Sequence, residues 1–406
     1  MAKVGKIELG GRESGSGVAF QLSAPAQLSH VYAPTGEPWE VEIRKGETNI
    51  VARTPNSLGR SDILAYGPEQ VQRCLDLLSF EKRENLLVKR PGDEHIVLYV
   101  RDGAYVAQHV SVSALGMGMK VSVKITDKDG NVLPANPTSP PVWTPGLRFY
   151  RLSQSNTDLY DAYRNLWLGL EALLDTICPK RRNERERKWL FRAISQVGST
   201  IELKRFVPSN CSDPVAHIVE TQYEHIRCRL FHAKVAQPIS RPDIPDPEEV
   251  ASAYEWLIRL LREIAQRCLS VRSGGGGGVT DAGFKMVLDN ALADRLTIYF
   301  TDDTSPFKKE DTEVSPGGRP VFPFSKVTYL SETAPGRVSF IGLQALAEIE
   351  VVPVVHRICS KAGDALMTGW SIEEGLYLDG TDYLESYQGF RLINRDLPRI
   401  VFGEDS

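Results

Sequence analysis

The sequence predicts a multidomain α+β protein with a β-rich N-terminal domain, a central all-α four-helix bundle and a β-rich C-terminal region. Three observations support this order. Apolar residues alternate or cluster in short runs in the first third of the chain, recur every three or four positions in the middle third, and return to short runs in the last third. The predicted domains are residues 1–145, 150–272 and 279–406, and residues 273–278 form a glycine linker.

Short apolar runs separated by turn residues predict strands in the N-terminal domain. These strands span residues 39–43, 96–100, 105–112 and 119–125. A helix is predicted over Pro68–Phe80, where apolar residues have helical spacing, and Asp129–Gly130 is a hairpin or turn signal. The domain ends in a connector at residues 133–141, which contains too much proline for regular structure.

Four amphipathic helices are predicted in the central domain. They are Asp158–Ile177, Glu184–Val197, a helix that Asp213 and Pro214 open, and Val250–Leu269. The last one follows Asp246, Pro247 and Glu249, which supply an N-cap, a proline at the first position and a carboxylate near the helix start. Helices with such short or moderate connections form a bundle.

Five glycines, Gly274–Gly278, separate the helical region from the last domain. Glycine has no side chain to pack, so this run, natural or introduced, behaves as a flexible tether and marks a boundary. Beyond it, strands are predicted at residues 295–300, 326–330, 337–341 and 350–355. A helix is predicted at residues 342–349.

The composition is that of an ordinary globular protein, with 42% apolar and 25% charged residues. There is no run of about 18 apolar residues and no apolar signal core at the N-terminus, so we expect a cytoplasmic protein without a membrane-spanning segment. The six cysteines are widely spaced without a Cys-x-x-Cys pair, which favours reduced thiols over a metal site or a disulfide framework. No glycine-rich phosphate loop is evident, and no cofactor or metal is predicted.

Basic residues are concentrated in the central domain. Residues 150–273 contain 19 lysines and arginines against 16 acidic residues, whereas the rest of the chain contains 29 against 36. The densest stretch begins with Lys180, Arg181, Arg182 and Arg185. Such a run is either a solvated loop and helix start or a surface that holds a nucleic-acid backbone, so these four residues are candidates for nucleic-acid binding.

The helix opened by Asp213 carries Arg227 and His232, five positions apart. A side chain that exchanges protons near neutral pH, beside a permanent cation, is the minimum needed to cleave a phosphodiester without a metal. On an α-helix, five positions correspond to about 140° of net rotation and about 7.5 Å of rise, so one helix cannot direct both side chains at one atom. We therefore expect a second copy of this helix, packed across a two-fold axis, to complete a shared cleft in a homodimer.

Three segments of the central region occur in sequence: Tyr163–Leu174, Glu186–Arg192 and Ile226–Lys234. Together they resemble the HEPN domain, especially its Apea-like branch and the MauJ-type proteins that are similar to it, over about residues 150–272. The resemblance implies a dimer that packs through the motif helix and cleaves RNA without a metal ion. Within the family such activity commonly belongs to defence or toxin systems, which implies an antiviral or related setting here.

The resemblance assigns transesterification to Arg227 and His232. His232 would accept a proton from the ribose 2′-hydroxyl or donate one to the leaving 5′-oxygen, with its counterpart across the dimer in the other role, and Arg227 would stabilise charge on the phosphoryl oxygens. Glu171 is a supporting candidate because it can orient either residue, and Lys234 because it can contact phosphate. Cys228 is the third, because it occupies the position after the arginine. It departs from the family there, which usually has the polar residue Asn, Asp or His.

Three other interpretations fit the same residues. Arg227 could form an ordinary ion pair with Glu224 on its own helix. The chain could be a non-catalytic binding or assembly protein, comparable to a MauJ-like accessory, in which the bundle dimerises and the β-rich domains bind a regulatory protein or ligand. The cleft of Arg227 and His232 could also hold a nucleotide without cleaving it, as a sensor does.

Overall fold

The computed structural model describes residues 1–11, 15–89, 93–115, 143–156, 158–208, 210–231, 247–271, 281–308, 310–334 and 336–392. Within these ranges the protein is a mixture of α-helices and β-strands, which confirms the mixed α+β class. Two compact units are present. The described residues up to 115 form one unit together with those from 281 onwards, and the described residues from 143 to 271 form the other.

The first segment contains strands and a long helix. Its elements are β1 (Ala2–Val4), β2 (Ile7–Gly10), β3 (Ser16–Gln21), β4 (His30–Tyr32), β5 (Glu40–Ile43), β6 (Asn49–Thr54), α1 (Arg60–Lys82), β7 (Glu94–Arg101) and β8 (Ala104–Leu115). Helix α1 begins earlier than the predicted Pro68–Phe80, because the turns around Ile63 and Gly67 are buried. The predicted strand at residues 119–125 and the turn at Asp129–Gly130 lie outside the described residues.

The middle segment is helical. Its elements are α2 (Pro145–Ser155), α3 (Leu159–Ile177), α4 (Glu186–Val197), a 3-10 turn (Leu203–Phe206), α5 (Pro214–Ile218), a π-helix (Val219–Arg227), α6 (Cys228–Phe231) and α7 (Pro247–Leu269). The predicted helices at Asp158–Ile177, Glu184–Val197 and Val250–Leu269 are confirmed as α3, α4 and α7. The helix that Asp213 opens is divided into α5, the π-helix and α6.

Helix α3 packs against α2, α4 and α7 and supplies much of the core of this unit. Its residues Leu166 and Leu170 are fully buried. A Cβ at Gly146 of α2 would lie 2.7 Å from the carbonyl oxygen of Gly169, so only glycine allows α2 and α3 to approach this closely. Among the described helices of the chain, none has an apolar stretch long enough to cross a bilayer.

The last segment returns to strands. Its elements are α8 (Asp281–Leu292), β9 (Leu296–Thr301), β10 (Val321–Pro323), β11 (Lys326–Ala334), β12 (Arg337–Ala345), a 3-10 turn (Leu346–Glu348), β13 (Val355–Ala362), β14 (Ala365–Leu378) and β15 (Tyr383–Leu392). The predicted helix at residues 342–349 is wrong, because β12 continues to Ala345 and a single 3-10 turn follows. The predicted strand at residues 350–355 is wrong except at Val355, where β13 begins.

The strands of the first and last segments form common sheets. Among the described strands, one sheet has the order β10-β9-β13-β14-β1-β2 and the other has the order β11-β12-β15-β8-β7-β3-β6-β5-β4. Strand β15 pairs with β8 in parallel, from Tyr383 opposite Val106 to Leu392 opposite Leu115, and β1 pairs with β14. The prediction of separate β-rich domains at 1–145 and 279–406 is therefore wrong, because backbone hydrogen bonds join both regions into one unit.

Candidate functional site

Arg227 lies at the C-terminal end of the π-helix. The chain enters through α5, where the Asp213 carboxylate accepts a hydrogen bond from the Ala216 N–H at 3.0 Å. The backbone then widens, and the N–H of Cys228 donates to the carbonyl of Tyr223, five residues earlier. π-Helical turns are rare and often occur at functional sites. The π-helix therefore makes Arg227, its last residue, a candidate functional residue.

Gln222 fixes the π-helix to the core of its unit and is only 5% exposed. Its side-chain amide donates to the Ala253 carbonyl of α7 at 3.1 Å. The Tyr163 hydroxyl of α3 donates to both the Oε1 and the carbonyl oxygen of Gln222, at 2.9 and 3.0 Å. Burial raises the pKa of Tyr163 far above its ordinary value, so this hydroxyl keeps its proton. The helix that carries Arg227 is thus held by two neighbouring helices.

The Arg227 side chain is 17% exposed. Its guanidinium carbon lies 5.4 Å from the ring centroid of Tyr223 and 4.8 Å from that of Phe231. Nη2 is 3.8 Å from Oε1 of Glu171 on α3 and 3.9 Å from Oε1 of Glu186 on α4. These distances are too long for hydrogen bonds, and Nε is buried without an acceptor among the described residues. Arg227 therefore has donors that no described residue uses.

Glu171 and Glu186 form a carboxyl pair beside this guanidinium. The indole N–H of Trp167, one turn earlier on α3, donates to Oε1 of Glu171 at 2.6 Å. Burial raises the pKa of Glu171 to about 7, and the neighbouring Glu186 also raises it. The hydrogen bond from Trp167 and the positive charge of Arg227 act in the opposite direction. Glu171 is therefore partly protonated near neutral pH.

Replacement of Glu171 by glutamine should change the dependence of stability on pH. The pKa of this carboxyl is 4.5 in its ordinary state and about 7 in the folded protein, so the folded state binds the proton more tightly. Stability is therefore fully present below pH 4.5 and is lost as the pH rises through 7. Between about pH 5 and pH 8 the loss amounts to about 2 kcal/mol, and E171Q should not show it because glutamine cannot ionise.

Urea unfolding at several pH values measures this difference. Glutamine still offers an acceptor to Trp167, so E171Q should fold normally. The matched control is E220Q, which removes an exposed acid from the π-helix and should leave the pH dependence of the wild type unchanged. The same pH dependence in E171Q and the wild type would show that Glu171 is not the carboxyl that titrates in this range.

The predicted nucleic-acid-binding residues lie in the connection between α3 and α4. All four residues are exposed: Lys180, Arg181, Arg182 and Arg185. Among them, Lys180 has its Nζ atom 3.9 Å from Oε2 of Glu186. Because Glu186 also contacts Arg227, the start of this basic loop lies beside the Arg227 site.

Glu184 anchors the basic loop. Its carboxylate accepts hydrogen bonds from Nε and Nη2 of Arg192 at 3.0 and 2.7 Å, and from the Arg181 N–H at 2.9 Å. These hydrogen bonds, led by those of Arg192, lower the pKa of Glu184 to about 2, so it stays ionised at physiological pH. One of the two acids in this basic stretch is therefore used to hold the loop in shape.

Nη2 of Arg227 lies 3.8 Å from the carboxyl of Glu171, its supporting candidate, and half-buried Cys228 follows Arg227 directly in the chain. His232 and Lys234 lie outside the described residues, so their roles stay predictions.

The alternative pairing of Arg227 with Glu224 is wrong. Glu224 forms an ion pair with Arg187 of α4. Arg227 lies closest to carboxylates on other helices, so it is not engaged in a local pair within its own helix.

Glu186 is a site residue that sequence reasoning missed. It stands inside a basic stretch and reaches Arg227 from a different helix, and no spacing along the chain reports such a contact. Tyr223 and Phe231 were also missed as neighbours of Arg227. They lie four positions before and after it, which is the spacing at which helix residues meet, so this signal was available.

Comparison with known proteins gives no family for this chain. No family model matches the sequence, and searches of curated proteins and of solved structures returned no similar protein. The function must therefore be inferred from the chemistry of the site. Within the described ranges, no three His, Cys, Asp or Glu side chains gather in a group that could hold a metal ion.

A separate cleft of about 230 Å³ lies between the π-helix and α7. His217, Thr221 and His225 line one side, and Glu249 and Trp256 of α7 line the other. The arginine and the carboxyl pair described above are not among its lining residues. This cleft is therefore distinct from the Arg227 site.

Proposed function

We propose that this protein is a HEPN-type endoribonuclease that acts as a homodimer and cleaves RNA without a metal ion. The helical unit is the catalytic part, folded as a four-helix bundle, and the β-rich unit binds a trigger, a target or a regulator. A cytoplasmic defence or toxin role is the setting that accords with the family resemblance.

The unused donors of Arg227 are the observation that carries this proposal. Burying a guanidinium is costly unless its N–H groups find acceptors, and no described residue lies within hydrogen-bond distance of them. The two non-bridging oxygens of a phosphodiester are acceptors that can pair with the planar, forked N–H donors of arginine. The exposed basic loop beside the site adds positive charge along which an RNA backbone can lie.

The reaction that these residues serve is transesterification. The ribose 2′-oxygen attacks phosphorus as its proton passes to one His232, and the P–O bond to the 5′-oxygen breaks as that oxygen gains a proton from the His232 of the second copy. Arg227 stabilises the negative charge that develops on the phosphoryl oxygens. The products are a 2′,3′-cyclic phosphate and a 5′-hydroxyl.

Incubation of the purified chain with RNA in the presence of a chelator tests this function. Wild-type protein should yield fragments with cyclic phosphate ends, and R227A and H232A should not. Cleavage at the same rate by all three proteins, or by none of them, would contradict the proposal.

A second candidate is a non-catalytic binding or assembly protein that uses the helical unit to dimerise. The contacts of Arg227 with Glu171 and Glu186 favour it, because they partly neutralise the guanidinium without any ligand. In that case R227A should lower stability or dimerisation, while RNA stays intact with every variant. Size-exclusion chromatography beside the cleavage assay separates the two functions.

A further inference from the structure

We propose that the Glu171–Glu186 carboxyl pair couples anion binding at Arg227 to proton uptake, so that a phosphodiester enters the site together with one proton. This inference rests on the proposed function, because it takes Arg227 as the group that binds phosphate.

Both carboxyl groups of the pair lie beside Nη2 of Arg227, one of the donors that an anion would use. Nη2 is the atom nearest both carboxyl groups, at 3.8 Å from Glu171 and 3.9 Å from Glu186. If both carboxyls are ionised, the three groups carry a net charge of −1 and repel a phosphate. If the pair holds one proton, their net charge is zero, and the guanidinium can attract the anion.

A hydrogen bond holds Glu171 in its position beside Arg227. Its Oε1 accepts from the indole N–H of Trp167 at 2.6 Å, and Trp167 is 1% exposed in the core. A negative charge that arrives at Arg227 therefore favours the protonated form of this carboxyl. Glu171 already titrates near neutral pH, and a neighbouring phosphate would raise its pKa further.

The charged and titratable groups around the pair come from each element that packs on it. Lys180 of the basic loop lies 3.9 Å from Glu186 and makes the site more positive. Burial raises the pKa of Tyr223 of the π-helix, so its hydroxyl stays protonated near neutral pH. An unperturbed histidine titrates near neutral pH, so His232, which lies outside the described residues, is the group that the experiment must separate from the pair.

Binding of a 2′-deoxy dinucleoside phosphodiester, measured by calorimetry, tests the coupling. This probe cannot undergo the cleavage reaction, and its single negative charge does not change between about pH 6 and pH 8. For one proton taken up by a group with a pKa of about 7, the wild-type affinity should fall about tenfold over this range. Titrations in buffers of different ionisation enthalpy should also register the proton taken up.

Three variants make the result specific. E171Q should bind the probe with an affinity that changes less than about twofold over the same range, because the titrating carboxyl is gone. E220Q, which removes an exposed acid from the π-helix, should keep the tenfold fall. R227M should lose binding at every pH, which shows that the probe occupies this site.

A wild-type affinity that does not change with pH, a tenfold fall that survives in E171Q, or probe binding that does not need Arg227 would each overturn the inference. A tenfold fall that survives in E171Q would assign the pH dependence to His232. Proton-coupled binding without RNA cleavage would support the inference and contradict the nuclease function. RNA cleavage that depends on Arg227, without proton uptake on binding, would support the nuclease function and contradict the inference.

Discussion

Replacement of Arg357 by methionine should lower the free energy of unfolding by about 3 to 5 kcal/mol, the effect of breaking a buried ion pair by removing one partner. The Arg357 side chain is fully buried in β13. Its Nη2 donates to Oδ2 of Asp311 at 2.6 Å, and its Nη1 donates to the carbonyl of Ser305 at 3.1 Å. Methionine can fill the space of the aliphatic stem, but it removes the positive charge, so the Asp311 carboxylate keeps only the Lys308 N–H as a donor and the Ser305 carbonyl loses its arginine donor.

Arg319 supplies the matched control. It lies in the connection between β9 and β10, which also contains Ser305 and Asp311, the partners of Arg357. Its side chain is 61% exposed, and its Nε lies 3.9 Å from Oδ1 of Asp302. The R319M variant should therefore lose less than about 1 kcal/mol. Urea unfolding followed by circular dichroism measures the free energy of unfolding of both variants. Equal losses would show that the contacts of Arg357 do not hold the connection between β9 and β10 in place.

Replacement of Arg227 by methionine should lower the rate of RNA cleavage by about 10²- to 10³-fold, the usual effect of removing one donor that stabilises developing negative charge. Folding should be little affected, because its ion pairs are long and methionine keeps the contact with Tyr223 and Phe231. Single-turnover kinetics with excess protein isolates the chemical step from product release.

Arg229 is the control for this second prediction. It lies two residues further along the chain, and its Nη1 donates to Oε2 of Glu249 at 2.7 Å. R229M removes one positive charge from the same helical region, so it should change the cleavage rate less than about threefold if general electrostatic attraction contributes little. A similar loss in both variants would mean that net charge, rather than the position of Arg227, determines the rate.

The helices of the central unit could be predicted because their signals are local. In α3 the apolar residues recur at helical spacing, and the Asp158 side chain accepts from the Asp161 N–H at 2.8 Å, as a capping residue should. Helix α2 was missed although Thr144 and Pro145 provide the same kind of start signal.

The arrangement of the strands could not be predicted from local patterns. Strands β8 and β15 pair over their lengths although about two thirds of the chain separates them. The segment at residues 342–349 contains good helix formers, yet pairing with β15 extends β12 as far as Ala345. Tertiary pairing therefore outweighed intrinsic propensity at this point.

The candidate site was predictable only in part. Arg227 and Glu171 could be proposed from the resemblance and from their places on two helices. The contact with Glu186 could not, because it depends on how α4 packs beside α3, and the π-helical backbone before Arg227 has no signal in the residue pattern. Packing between helices, rather than spacing along one helix, creates the carboxyl pair.

A crystal structure of the full chain with a non-cleavable 2′-deoxy oligonucleotide tests the role of Arg227 most directly. We expect a phosphate oxygen about 3 Å from the Arg227 guanidinium, with His232 of a second copy at the same phosphate. A phosphate bound elsewhere, with Arg227 still beside Glu171 and Glu186 and no second copy at the site, would contradict the proposed nuclease.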